Sequence, residues 1–146
     1  MKFYIAAPFF NKAQTERVEV IKEMLTAKGF NYFSPKDGCL FENDKGMDSE
    51  SIFRTNIIEI DNCNGIIIIT DGRDVGSMFE AGYAYGANKS NIIYVWIDYE
   101  PKTNFNLMLS HSGDAIALGY EELHSILNAT SKLGYVPSHE YTGRME

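Results

Sequence analysis

Residues 65–70 read Gly-Ile-Ile-Ile-Ile-Thr and residues 91–98 read Asn-Ile-Ile-Tyr-Val-Trp-Ile-Asp. Neither run alternates between apolar and polar side chains. An unbroken β-branched run is at home in a strand whose two faces are both covered, as in the middle of a parallel sheet with helices above and below. The rest of the chain supplies the pieces for that arrangement. Residues 2–7 (KFYIAA) form a first strand closed by Pro8, residues 30–33 a second ended by Ser34-Pro35, and residues 115–118 another.

Helical spacing fills the intervals. Asn11 can cap a helix running to about residue 28, with Val18, Ile21, Leu25 and Ala27 on one face and Gly29 as its stop. A further helix starts at Ser49 or Ser51 and puts Ile52, Phe53, Ile57 and Ile60 on one side. Others are expected at about 77–88 and 120–127. Residues 35–48 read as a long surface loop, and the polar tail from about residue 131 carries no clear element. Strands alternating with helices imply right-handed βαβ units. The expected fold is therefore α/β, a flavodoxin-like doubly wound sheet, mostly parallel and five-stranded, with helices on both faces and a single domain over residues 1–146.

Charge and composition narrow the partners. A formal net charge of −7 disfavours nucleic-acid polymers and anionic membrane surfaces, which need a basic footprint, but leaves neutral small molecules open. Cys39 and Cys63 stand far apart with no CxxC, and His111, His124 and His139 show no metal-ligand spacing, so neither a disulfide framework nor a metal site is expected. No signal-peptide pattern is evident and no apolar run is long enough to span a bilayer, which makes a cytoplasmic protein the expectation.

In an open α/β sheet, ligands lie beyond the carboxyl ends of the strands. Three segments reach that edge: Ala7-Pro8-Phe9-Phe10, residues 71–80, and the loop after Asp98. The second is the richest. It holds Asp71, Arg73 and Asp74 in a polar turn, then Gly76, then Glu80 among the apolar or small residues Met78, Phe79, Ala81 and Ala84. A carboxylate in such company faces a pocket or a partner, or else it is an ordinary glutamate favoured by a helix start. Asp74 is either a helix cap or an acceptor for sugar hydroxyls. Tyr4 is either core or the residue that holds a carboxylate in place. Phe9 and Phe10 are either core or a stacking surface for a planar base. Gly76 permits close approach of backbone to a ligand. GxGxxG, Walker A and GxSxG motifs are all absent.

Taken in order, FYIAAPFF at 3–10, DVGSMFEAGYAYG at 74–86 and NLM at 106–108 resemble the nucleoside 2-deoxyribosyltransferase family. The resemblance implies that Glu80 attacks the anomeric carbon of a 2′-deoxynucleoside, that the sugar is held as a covalent ester, and that a second base completes the exchange with retention. It assigns Tyr4 to orienting Glu80, Asp74 to the sugar hydroxyl edge, and Asn106 and Met108 to a neighbouring subunit's site. It thus implies a homo-oligomer with a dimer as the minimal catalytic unit, further assembly to a hexamer being left open, and no metal or organic cofactor. Partners would be 2′-deoxynucleosides and free purine or pyrimidine bases. Two positions depart from the family pattern. Asn56 stands where many members carry an aspartate, and asparagine cannot donate a proton as an acid. Cys39 falls near a glutamine that some members use to read the base. An aspartate at position 74 disfavours a phosphorylated substrate, because like charges would meet. Two rival readings remain at this level: a deoxynucleoside or nucleotide N-glycosidase on the same scaffold, and a non-catalytic nucleotide-binding module.

Overall fold

A computed structural model describes residues 1–39 and 47–146. Its centre is a sheet of five strands, β1 (Lys2–Ala6), β2 (Asn31–Phe33), β3 (Gly65–Ile69), β4 (Ile92–Trp96) and β5 (Ala115–Leu118), in the order β2-β1-β3-β4-β5. All four pairings are parallel, with Tyr4 beside Ile66 and Ile66 beside Ile92 in the ladder. This is the flavodoxin-like order, whose switch point lies where the chain leaves β1 to either side.

The continuous apolar runs split by parity, as a pleated strand requires. Phe3, Ile5, Ile67, Ile69, Ile93, Val95, Ala115 and Ala117 pack on one face with α1 (Lys12–Ala27) and α6 (Gly119–Leu133), through Val18, Ile21, Leu25, Leu123, Ile126 and Leu127. Tyr4, Ala6, Ile66, Ile68, Ile92, Tyr94 and Ile116 pack on the other with α3 (Ser49–Asn62) and α4 (Val75–Gly86), through Ile60, Ala81 and Ala84. Alanine at both α4 contact positions lets that helix lie close over the sheet.

Several boundaries differ from the sequence expectations. Helix α3 does start at Ser49, one of the two expected serines, with Asp48 as its cap accepting from Ser51 N at 2.7 Å. Phe53 faces outward against Phe79 (ring centroids 6.0 Å apart), and only Ile60 of the expected apolar face is buried. The 35–48 segment opens with a helical turn, α2 (Pro35–Gly38), and its residues 40–46 lie outside the described part. A six-residue helix, α5 (Leu107–Ser112), capped by Asn106, was not expected. Helix α6 runs past residue 127 to Leu133, where Gly134 takes φ +82. Residues beyond it pack rather than trail: Val136 and Tyr141 are buried, and Phe105 N donates to Arg144 O at 2.9 Å. Among the described residues no helix is long and apolar enough to cross a membrane.

Candidate active site

Tyr4 sits in the middle of β1 with no solvent exposure, and its side chain points to the α4 face of the sheet. Its hydroxyl donates to Glu80 Oε1 at 2.5 Å. Glu80 is the sixth residue of α4, beyond the first turn, where the field of the helix terminus has largely faded. The ordinary helix-start role therefore does not explain it. Burial pushes its carboxyl up to about 7; the Tyr4 hydrogen bond opposes that rise, and the negative charge of Asp74 adds to it. Tyr4 in turn is raised well above its ordinary value, first by burial and then by the Glu80 charge, so it remains a donor. The result is a half-buried carboxyl poised to gain or lose its proton near neutrality, with a fixed hydroxyl favouring the charged form.

Asp74 fulfils the capping role: its Oδ2 accepts from Ser77 N and from Ser77 Oγ, both at 2.8 Å. Its charge nevertheless reaches Glu80, so the capping carboxylate also acts on the buried one. A Cβ on Gly76 would come within 3.3 Å of Asp74 Oδ2, and glycine keeps that carboxylate uncrowded. The preceding turn is bent by two successive residues at positive φ, Gly72 (+77) and Arg73 (+51). Such a conformation costs a non-glycine residue about 1 kcal/mol or more. It sends Arg73 outward to Glu146, 3.1 Å away, and not toward Glu80.

Asn56, on α3, comes into this neighbourhood through Cys39. The Cys39 thiol donates to Asn56 Oδ1 at 3.5 Å, and the Glu80 charge acts on the same thiol. Asp61 does not take part; it accepts from Tyr83 OH at 2.9 Å. Phe9 and Phe10 stack at 5.4 Å at the carboxyl end of β1, Phe9 half-buried and Phe10 exposed.

Asn106 and Met108 are not part of this cluster within the chain. Asn106 Oδ1 accepts from Met108 N (3.0 Å) and Leu109 N (3.3 Å) as the α5 cap, and Met108 is 71% exposed. Asn106 also borders a cavity of about 370 Å³ on the β4 side of α4, walled by Met78, Trp96, Phe105 and Leu109. Sequence reasoning missed this hollow. Trp96 at the carboxyl end of β4 was its one legible sign. It also missed Asp71 as a clamp: the buried carboxylate accepts from Ile97 N (2.8 Å) and Asp98 N (2.7 Å), fixing the loop that follows β4. No three His, Cys, Asp or Glu side chains converge as a metal site among the described residues.

Comparison with known proteins bears on the fold and the family. The chain is similar in structure to a 2-deoxyribosyltransferase from the psychrotolerant bacterium Bacillus psychrosaccharolyticus, at 26% identity and a TM-score of 0.75, covering 97% of this chain and 99% of that one. It shares its fold with a 2-desoxiribosyltransferase from Leishmania mexicana (22% identity, TM-score 0.64, 90% of this chain and 97% of that one). The same holds for a CMP N-glycosidase from Clostridium botulinum (17% identity, TM-score 0.62, 88% and 99%). No functionally curated protein matches it. The sequence profile of the nucleoside 2-deoxyribosyltransferases matches residues 3–128, a span that contains Tyr4, Asn56, Asp74, Glu80, Asn106 and Met108. The chain belongs to the nucleoside 2-deoxyribosyltransferase family.

Proposed function

We propose that this protein exchanges the base of 2′-deoxynucleosides, in nucleoside salvage, through a deoxyribosyl ester on Glu80. The observation that carries the reading is the 2.5 Å hydrogen bond from buried Tyr4 to Glu80. In the ionised form, a Glu80 oxygen attacks C1′ from the face opposite the base. The C1′–N bond breaks, its electron pair leaves with the base, and the charge that spread over the sugar ring collapses into the ester. The nitrogen of a second base then attacks C1′ and gives up its proton, which balances the one the departed base takes up; Glu80 departs as carboxylate, and two inversions give retention. A missing 2′-hydroxyl makes the cationic centre easier to form. Tyr4 orients the carboxylate and shares its charge before attack and after release.

Asp74 offers Oδ1 to a sugar hydroxyl while Oδ2 holds the helix cap. The same carboxylate, with Arg73 drawn away by Glu146, disfavours a phosphate dianion and supports unphosphorylated nucleosides as substrates. Phe9, Phe10 and Gly76 border the site as the surfaces a base and sugar would meet.

A second copy of the chain completes the site in this reading. Helix α4 turns Val75 (83% exposed) and Phe79 (54%) outward, and α5 adds Met108, exposed apolar side chains of the kind that mark a protein contact. Mixing Glu80→Ala protein with an Asn106→Ala/Met108→Ala double variant tests this: if sites are shared, hybrid dimers regain activity that neither parent has.

The decisive chemical test is intact-protein mass spectrometry after mixing with a 2-fluoro-2-deoxynucleoside, whose fluorine slows ester release. A sugar adduct on Glu80 is expected; an adduct elsewhere refutes the assignment. Incubation with and without a second base separates exchange from hydrolysis. Equal release of free deoxyribose in both, with no new nucleoside, would sink the transferase reading.

A further inference from the structure

We infer that Cys39 is a positioning residue: by occupying Asn56 Oδ1 it makes the Asn56 amino group, Nδ2, the end that meets the departing base. The inference rests on the reading above, in which a base leaves from a sugar held at Glu80. It starts from how firmly Cys39 is held. The α2 turn is stapled to α1 by the buried Lys22, whose Nζ lies 2.5 Å from Asp37 and 2.8 Å from Glu19. Cys39 follows directly, its N–H donating to Pro35 O at 3.0 Å, and its side chain is 1% exposed. From there the thiol meets Asn56 Oδ1 at 3.5 Å. The same thiol lies within the electrostatic reach of both Glu80 and Tyr4, which brings the thiol–amide pair into the neighbourhood of the carboxyl.

The bond runs from the thiol to the amide oxygen, which faces it. Burial first, and then the Glu80 charge, raises the thiol above its ordinary value, so it stays S–H and can donate. A thiol is a weak acceptor, and of the two ends of an amide only the oxygen accepts. With Oδ1 engaged, Asn56 has its amino group left to offer, and Nδ2 makes no hydrogen bond among the described residues. A fixed N–H donor at this place can stabilise negative charge growing on a base oxygen or ring nitrogen as the C1′–N bond breaks. It cannot deliver a proton. The inference therefore specifies the substrate class more closely: bases that carry an acceptor atom and leave as stabilised anions, with turnover that falls steeply as the base becomes a poorer leaving group.

Cys39→Ala, Cys39→Ser and Asn56→Asp, made in the full chain, test this with a series of 2′-deoxynucleosides graded by leaving-group acidity. Cys39→Ala should lower kcat by about tenfold with KM changed less, the size expected for one lost hydrogen-bond constraint. Cys39→Ser, which keeps a donor, should recover most of that loss. Asn56→Asp should flatten the dependence on leaving group, because it supplies an acid. Wild-type kcat in Cys39→Ala overturns the inference. So does an equal fall in Cys39→Ala and Cys39→Ser that follows the thermal midpoint. A readout without turnover separates this from failure of the transferase reading. The Asn56 side-chain amide pair, identified in ¹⁵N spectra by its loss in Asn56→Asp, should shift when free adenine or cytosine is added, and should move in Cys39→Ala but not in Cys39→Ser. No shift with either base, or none in Cys39→Ala, overturns the inference whether or not any nucleoside is turned over.

Discussion

The two flanks of α4 are built differently. Toward β1, the helix presents Glu80 to Tyr4, with Cys39 and Asn56 beside them. The polar groups there tune one another. Toward β4, it presents Met78 to a hollow of about 370 Å³ walled by Trp96, Phe105 and Leu109. Three of the polar groups around that hollow are already spent on structure: Asp71 on the backbone after β4, Asn106 on the α5 cap, Arg73 on Glu146. In the proposed reading this hollow is therefore not where the reactive group sits. A carboxyl displaced from its ordinary titration range by burial identifies the chemistry better than volume does, because it reports a charge the fold keeps despite its desolvation cost.

The strongest way to break this contrast is to remove the reactive group. Glu80→Ala should lower turnover by at least about a thousandfold while ligand binding survives, as expected for loss of a covalent nucleophile. Steady-state rates and equilibrium binding measured together check it; retained turnover would move the reaction elsewhere. The other flank should answer in stability. Phe105→Ala removes a ring packed on Tyr94, Trp96 and Tyr141 and should cost about 3–5 kcal/mol in chemical denaturation. A turnover loss in its folded fraction as large as that of Glu80→Ala would place the chemistry on the cavity side.

The pH dependence sharpens the β1 side further. Attack needs the carboxylate, so the rate should rise with pH through a midpoint at about 7. Stability should run the other way. The folded state keeps a proton that the unfolded chain has released, so this group's contribution falls as pH rises from the ordinary value of 4.5 through about 7, and then levels off. Glu80→Gln should abolish that slope and gain about 1–2 kcal/mol at alkaline pH, a figure reduced for the partial exposure of the group. Denaturation at several pH values decides it; parallel curves for the two proteins would show that burial does not set the shift. Tyr4→Phe removes the bond that favours the carboxylate, so the rate midpoint should move upward and kcat near neutrality should fall about tenfold. The smallest effect is expected at the rim. Glu146→Ala breaks the exposed pair with Arg73 and should change stability by less than about 0.5 kcal/mol.

Which parts of this were legible in the sequence follows from the range of the forces involved. The unbroken apolar runs at 65–70 and 91–98 announced buried parallel strands because a two-sided burial leaves no polar position to alternate. The ordered motifs around Tyr4, Asp74 and Glu80 brought the same residues to notice that the structure joins or couples. Local pattern was less able to place single faces: Phe53 and Ile52 fit a helical stripe, yet only Ile60 of that stripe is buried, because neighbouring α4 and not periodicity decides what is covered. Helix α5 escaped notice because it is six residues long and capped by one asparagine, too short to show a period.

By itself, the sequence determined the sheet, its strand types, the family and the identity of the polar residues at the carboxyl edge, since these depend on residue type and spacing along the chain. Only the tertiary structure decided which of those residues meet. The Tyr4–Glu80 bond spans 76 positions, and Cys39 reaches Asn56 from a separate turn. The elevated Glu80 proton affinity exists only once β1 and α4 enclose the carboxyl, because desolvation is a property of the surrounding protein and not of the residue or its neighbours in sequence.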